Sequence, residues 1–268
     1  MPKHFIKASV KIGLDLHNLS TKSDSIVRTG IQQVVFNLLD AQYWQRKEMN
    51  EMQIEFVPLP LLPKPQDTWS RFKDIRDTNV NSSRYVLTAT SKELGIPLTE
   101  LWNDPEMENA EPWSEEKFFS KFVSLDWLVI TPLSEFRYVA EEAKRRNPKL
   151  RIAVLVYDMV PLIQSDLVAD GMSQWYSTAY ISGIRHFVDV LFAISRHTAL
   201  DCMKELESIL GVHVPIIATP LPPEIPSIVE EKPSLLKSHD LVKQGYFICL
   251  GTIEPRKNLS LAVRGFLR

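Results

Sequence analysis

Six short apolar segments constrain the fold of this chain more than any other feature of its sequence. Helical patterns separate most of them, and a near-continuous apolar run is typical of a strand buried on both faces of a parallel sheet. The pattern predicts an α/β fold with a doubly wound, Rossmann-like parallel sheet. The segments are VKIGLDL (10–16), QIEFVPLP (53–60), LDWLVITP (125–132), RIAVLVYD (151–158), VLFAIS (190–195) and VPIIATPL (214–221).

Helices are predicted between these strands from the spacing of apolar residues and from end signals. Ser134 is a candidate N-cap for one helix, which Pro148 should end. Two further helices are predicted at 174–188 and 197–210. The helix after the first strand should bury one face made of Ile31, Val34, Val35, Leu38 and Leu39.

The domain organisation is predicted from where this alternation stops. Residues 1–221 are predicted to form the first domain. Within it, apolar residues of 61–120 follow no sustained periodicity, so this region is interpreted as an irregular insertion with short helices. The proline-rich segment 222–240 resembles an interdomain linker. Residues 241–268 hold one predicted strand (246–250) and one short helix. Because an independent domain needs roughly 50 residues or more, we expect 241–268 to be the truncated start of a second Rossmann-like domain.

Composition narrows the classes of function. The 268 residues are 44% apolar, enough for a substantial core, and the net charge of −2 argues against a nucleic-acid partner. No run reaches the roughly 18 apolar residues that span a bilayer, and no signal peptide is recognisable, so a cytoplasmic location is predicted. Scattered histidines predict no metal site. Cys202 and Cys249 are expected to be buried free thiols.

A basic cluster runs from the end of one predicted helix into the next strand. Two interpretations remain open: the charges complement the helix dipole, or they contact acidic lipid headgroups at the inner face of the membrane. The second would make the protein a peripheral membrane protein. The cluster comprises Lys144, Arg145, Arg146, Lys149 and Arg151.

The turn GTIEPRKN (251–258) is a candidate phosphate site. Arg256 and Lys257 precede a predicted helix that Asn258 could cap, and free N–H groups, the helix dipole and two positive charges favour a diphosphate there. The alternative is a solvated loop in which Glu254 pairs with a neighbouring base. The helix should bury Leu259, Ala262, Val263 and Phe266.

Other candidate residues lie where predicted strands end, because open α/β sheets bind ligands beyond the carboxyl ends of their strands. Thr29 and Gly30 lie between the first strand and first helix, where glycine permits close approach of a ligand. Tyr157 and Asp158 end the fourth strand; the Asp158 carboxylate could accept hydrogen bonds from sugar hydroxyls, or bond backbone N–H groups of its own turn. Ser195 is a helix N-cap that could also face the cleft.

Four motifs, in their order, resemble the retaining glycosyltransferases of family 4, which have the two-domain GT-B architecture. The resemblance covers the start of the chain and 151–268, and 61–120 matches only loosely. The motifs are TGIQQVVFNLL, VYDMVPL, FAISRHTALD and GTIEPRKNLSLAVRGF. The resemblance implies a metal-independent, cofactor-free enzyme that transfers a sugar from a nucleotide-sugar to a glycan or lipid-linked acceptor, with retention.

The resemblance also implies roles for particular residues. Arg256 and Lys257 would hold the donor diphosphate, and Asp158 would lie close to the transferred sugar as the catalytic residue. Gly30 and its loop would lie near the donor phosphates and the acceptor. Tyr157 stands where many relatives have histidine. Two glutamates that relatives carry later in the donor domain have no counterpart before Arg268, so the chain is expected to be a fragment with little transferase activity alone. A non-catalytic acceptor-binding module is the alternative.

Overall fold

The computed structural model of the protein shows a parallel α/β sheet with flanking helices. Within the described ranges, every helix is too short or too polar to cross a bilayer. The structure describes residues 10–15, 34, 37–38, 51–59, 115–131, 136–168, 171–221, 242, 245–249 and 255–267.

The six predicted strands are confirmed, each somewhat shorter than its apolar segment. They pair in the order β2-β1-β3-β4-β5-β6, and all five pairings are parallel. Chain order therefore reverses at β1, with β2 on one side and β3 on the other. The strands are β1 (Val10–Asp15), β2 (Ile54–Leu59), β3 (Trp127–Ile130), β4 (Arg151–Val156), β5 (Val190–Ala193) and β6 (Ile216–Ala218).

Both faces of the sheet bury apolar side chains, because successive residues of a strand point to opposite faces. Val154 and Leu191 are register partners on one face and belong to the main buried cluster. Leu155 lies on the opposite face, is only 7% exposed, and does not belong to that cluster. This two-sided burial explains why β4 is apolar along almost its whole length, as the parallel-sheet prediction requires.

The described helices pack mainly on the face that carries Val154 and Leu191, and their buried residues join strand and loop residues in its cluster. Val34 and Leu38, from the predicted first helix, are helical and half-buried. The helices are α1 (Glu115–Ser120), α2 (Phe136–Arg146), α3 (Val160–Ile163), α4 (Met172–Trp175), α5 (Ser182–Phe187), α6 (Arg196–Cys202) and α7 (Leu259–Phe266), with 3-10 turns at Lys121–Ser124, Ser165–Leu167 and Pro255–Lys257.

Two π-helical segments continue these helices. Tyr176–Ile181 joins α4 to α5, and Met203–Ile209 extends α6. The predicted helices at 174–188 and 197–210 are thus present, but each departs from α geometry for part of its length. Helices of the π type are rare and often lie near functional sites.

The end of helix α2 follows its predicted signal. Helix α2 ends at Arg146, two residues before Pro148, because a residue preceding proline is disfavoured in helical conformation. Asn147 then donates side-chain hydrogen bonds to the carbonyl oxygens of Phe122 and Leu125, both at 3.0 Å. The proposed cap Ser134 lies outside the described residues.

The basic cluster is largely held by partners within the chain. Basic residues occupy the last turn of α2, as the dipole interpretation predicts. Contact with a lipid surface stays a prediction. The intramolecular contacts are Lys144 with Asp189 (2.8 Å), Arg146 with Glu116 (2.7 Å) and Glu142 (2.8 Å), Arg145 with Glu142, and Arg151 with the Trp127 ring (5.4 Å from guanidinium carbon to ring centroid).

The pairing of Glu142 predicts a pH dependence of stability. Hydrogen bonds from Arg145 and Arg146 lower the pKa of the Glu142 carboxyl to about 2. Because this pKa is below its ordinary value near 4.5, the contribution is complete above about pH 4.5 and disappears as pH falls toward 2. Glu142→Gln should therefore lower the urea midpoint at pH 7 and lose less stability than the unsubstituted protein between pH 4.5 and 2.

The neighbouring, exposed Glu141 provides the control for this measurement. Glu141→Gln should leave the urea midpoint at pH 7 and its dependence on acid close to those of the unsubstituted chain. Identical acid profiles for the Glu142→Gln and Glu141→Gln variants would show that the arginine contacts do not stabilise the fold.

Three sequence predictions are wrong. Residues 246–249 form no strand, and Phe247 stays 81% exposed although its ring lies edge-to-face against that of Phe266, with centroids 5.2 Å apart. Helix α7 buries none of its predicted face: Leu259 is half-buried, and Val263 and Phe266 are more than half exposed. Cys202 is a buried free thiol as expected, but Cys249 is exposed because it belongs to the same unpaired segment.

The other predicted boundaries lie outside the described residues. These include the linker at 222–240 and the insertion at 61–120, of which the structure describes only 115–120, the helix α1. The division into domains therefore stays a prediction.

Candidate functional site

The carboxyl ends of β4 and β5 bring three of the predicted site residues onto one edge of the sheet. Tyr157 and Asp158 directly follow β4, and Ser195 lies two residues beyond β5. The backbone joins the two strand ends, since the Ile194 N–H donates to the Val156 carbonyl oxygen at 3.1 Å. The edge formed by 157–159 and 194–198 is called the carboxyl edge below.

Asp158 is exposed at this edge, in a short turn between β4 and α3. Its Oδ1 accepts a hydrogen bond from the Val160 N–H at 3.1 Å, so the turn-stabilising interpretation of this aspartate is confirmed. A carboxylate accepts about four hydrogen bonds, and this contact uses one of them. The same side chain can thus order the turn and still accept hydrogen bonds from a ligand.

Tyr176 supports the same turn from inside the protein. Its hydroxyl donates to the Asp158 carbonyl oxygen at 2.9 Å and lies 3.4 Å from Met159 Sδ. Burial raises the pKa of Tyr176 well above its ordinary value, and the nearby Tyr180 and Asp158 raise it further. The hydroxyl therefore stays protonated and remains a donor throughout the physiological range.

Ser195 caps α6, as its sequence position predicts. Its Oγ accepts from the Thr198 N–H at 3.0 Å and lies 2.9 Å from Thr198 Oγ1, which in turn donates to the Tyr157 carbonyl oxygen at 3.2 Å. The Thr198 hydroxyl has one proton, and it donates that proton to the Tyr157 carbonyl oxygen. Ser195 is therefore the donor of the bond between the two hydroxyls. Ser195 thus has only acceptor capacity left for a ligand.

A buried aromatic group lies beneath the carboxyl edge. The rings of Tyr176 and Tyr180 have centroids 4.5 Å apart, and both side chains are almost completely buried. Cys202 is fully buried, and burial together with Asp201 raises the pKa of its thiol to about 12. A thiol with so high a pKa is a poor nucleophile, so Cys202 has a packing role.

Arg256 and Lys257 lie apart from this edge in the sequence, in the 3-10 turn Pro255–Lys257, and both are exposed. Asn258 follows with φ of 46° and ψ of 41°, a left-handed conformation that asparagine tolerates. It occupies the predicted N-cap position of α7, but its side chain makes no capping hydrogen bond. The first N–H groups of α7 lack intrahelical acceptors by geometry.

Thr29 and Gly30 lie outside the described residues, so their predicted place near the donor phosphates stays a prediction. Where the chain is described, no group of three histidine, cysteine, aspartate or glutamate residues is arranged to hold a metal ion.

Neither a known protein-family model nor a curated protein sequence matches this chain. The resemblance to retaining glycosyltransferases therefore depends on the quoted motifs and stays a prediction.

The sequence did not point to two residues of the candidate site, Thr198 and Tyr176. Thr198 follows Ser195 by three residues, the spacing at which a capping residue and its N–H donor meet, so its contact could have been foreseen. Tyr176 is 18 residues from Asp158, and no local pattern links the two. Only the packing of α4 and its π-helical continuation against α3 brings them together.

Proposed function

We propose that the protein is a glycosyltransferase, or part of one, that transfers a sugar from a nucleotide-sugar to a glycan or lipid-linked acceptor. The observation that carries this proposal is the exposed Asp158 carboxylate, held at the carboxyl end of a central parallel strand. Ligands of open α/β sheets bind at such strand ends. A carboxylate with free acceptor capacity is suited to the hydroxyl groups of a sugar.

Arg256 and Lys257 have the second role in the proposal, which is to bind the donor diphosphate. Arginine can bind two phosphate oxygens with its planar fork, and lysine adds a compact charge. As the bond from sugar to diphosphate breaks, negative charge grows on the leaving group, and two cations beside it would stabilise it. Both side chains are exposed, and they precede the N-terminus of α7, whose first N–H groups also favour an anion.

Titration calorimetry with nucleotide-sugars tests the proposal. UDP-glucose, GDP-mannose, ADP-glucose and the corresponding nucleoside diphosphates serve as probes, since the sequence does not determine the base or the sugar. At least one probe should bind the chain. Arg256→Ala combined with Lys257→Ala should weaken that binding by about 10- to 100-fold, which is the loss of one or two charge-assisted hydrogen bonds.

Arg264→Ala is the matched control, because Arg264 is an exposed arginine in the last turn of α7. The control variant should bind the same probe with unchanged affinity. Equal affinities for the double variant and the unsubstituted chain would contradict the proposed diphosphate site. Binding of oligosaccharides without binding of any nucleotide would instead favour the non-catalytic acceptor-binding module.

A further inference from the structure

The turn that carries Asp158 is held by hydroxyl groups from two different helical segments. Thr198 of α6 donates to the Tyr157 carbonyl oxygen, and Tyr176 of the π-helical segment donates to the Asp158 carbonyl oxygen. Two successive carbonyl groups are thus fixed by side chains that are distant in sequence.

The two anchors differ in what they constrain. Thr198 holds the residue before Asp158, whereas Tyr176 bonds the peptide group that directly follows the Asp158 side chain. The Val160 N–H, which donates to Asp158 Oδ1, lies only one residue beyond that peptide group. Rotation of this peptide would therefore move the N–H donor away from the carboxylate and allow the carboxylate to change direction.

Tyr176 is itself rigidly held. It is 7% exposed, and its ring contacts Tyr180 and Trp175, with centroids 4.5 Å and 6.2 Å away. A buried aromatic side chain with packed neighbours has little rotamer freedom left, so its hydroxyl is a fixed point for the turn. A group that is fixed before binding loses less entropy when the ligand arrives.

We propose that Tyr176 is a positioning residue, which orients the Asp158 carboxylate toward a sugar hydroxyl through the carbonyl group of Asp158. The inference rests on the proposed function for the identity of the ligand. Tyr176 touches no ligand in this arrangement and acts only through Asp158.

Hydrogen exchange at the Val160 amide tests the proposal without any ligand. Tyr176→Phe removes the hydroxyl and keeps the ring, so the aromatic packing should persist and the thermal midpoint should change little. The Val160 amide should then exchange about three to ten times faster, while amides of β4 keep their rates. Ser177→Ala is the control, because it deletes a neighbouring hydroxyl that bonds the Ser173 carbonyl oxygen rather than the turn of Asp158.

Nucleotide-sugar affinity provides a second measurement, in a double-mutant cycle on whichever probe binds. Tyr176→Phe alone should weaken binding by about three- to ten-fold. In a chain that already carries Asp158→Asn, adding Tyr176→Phe should not change the affinity. A purely structural role would give additive losses in this cycle.

The outcomes separate the inference from the proposed function. Unchanged exchange at Val160, or faster exchange spread evenly over the sheet, overturns the role of Tyr176. Additive losses in the cycle overturn it as well. Faster exchange confined to the Val160 amide supports the role of Tyr176 in holding the turn. If Asp158→Asn nevertheless leaves the affinity for every nucleotide-sugar unchanged, the proposed function of Asp158 fails and the role of Tyr176 in the turn does not.

Discussion

Asp158→Asn is expected to weaken the binding of a nucleotide-sugar by about 10- to 100-fold. A hydrogen bond to a charged group contributes about 1.5–3 kcal/mol, and the amide loses the charge that strengthens the bond to a sugar hydroxyl. Asparagine keeps an oxygen at the place of Oδ1, so it can still accept from the Val160 N–H. The substitution therefore removes the proposed ligand contact and preserves the turn, and titration calorimetry measures the difference.

Asp166→Asn is the control for this variant, since Asp166 is an exposed aspartate in the next turn of the chain. Its affinity for the same probe should match that of the unsubstituted chain. If Asp158→Asn binds as tightly as Asp166→Asn, the carboxyl edge is not the sugar site.

Phe119→Ala should lower the free energy of unfolding by about 3–5 kcal/mol, as expected when a buried phenylalanine is truncated and a cavity remains. The Phe119 ring is fully buried and lies edge-to-face against Phe122 and Tyr138, with centroids 5.3 Å and 5.7 Å away. The Arg146 guanidinium lies over the same ring at 5.3 Å. The alanine variant thus loses ring packing and a cation–π contact together, and urea unfolding measures the sum.

Val123→Ala tests whether this loss is specific to buried packing. Val123 lies four residues along the chain and is 62% exposed, so its truncation should change stability by less than about 0.5 kcal/mol. Similar destabilisation by the two substitutions would show that the segment 119–124 contributes through its backbone rather than through the Phe119 ring.

The sheet could be predicted from the sequence because a strand that is buried on both faces appears as a short, nearly continuous apolar run. Strands such as β4 need apolar residues at nearly every position. The prediction failed at 246–249, where an apolar run was interpreted as a strand. A strand also requires a neighbour to pair with, and local composition carries no information about that neighbour.

The candidate site was only partly predictable, for a related reason. Asp158 and Ser195 were found because they follow apolar strands, and the position of a strand end is local information. The contact of Tyr176 with Asp158 depends on how one helix packs against the turn after another strand. In the sequence, Tyr176 is one of several aromatic residues in its helix, and no pattern of neighbouring residues indicates the hydrogen-bond partner of its hydroxyl.

The two π-helical segments have a consequence for the natural variation of this chain. A π-type turn accommodates one residue more than the α-helix that it interrupts. Deleting one residue at 176–181 or 203–209 would restore regular winding and keep the flanking apolar residues facing the sheet. A deletion elsewhere in the same helices would rotate every later side chain by about 100° and expose part of the core. Differences in helix length among homologous sequences should therefore be concentrated in these two segments.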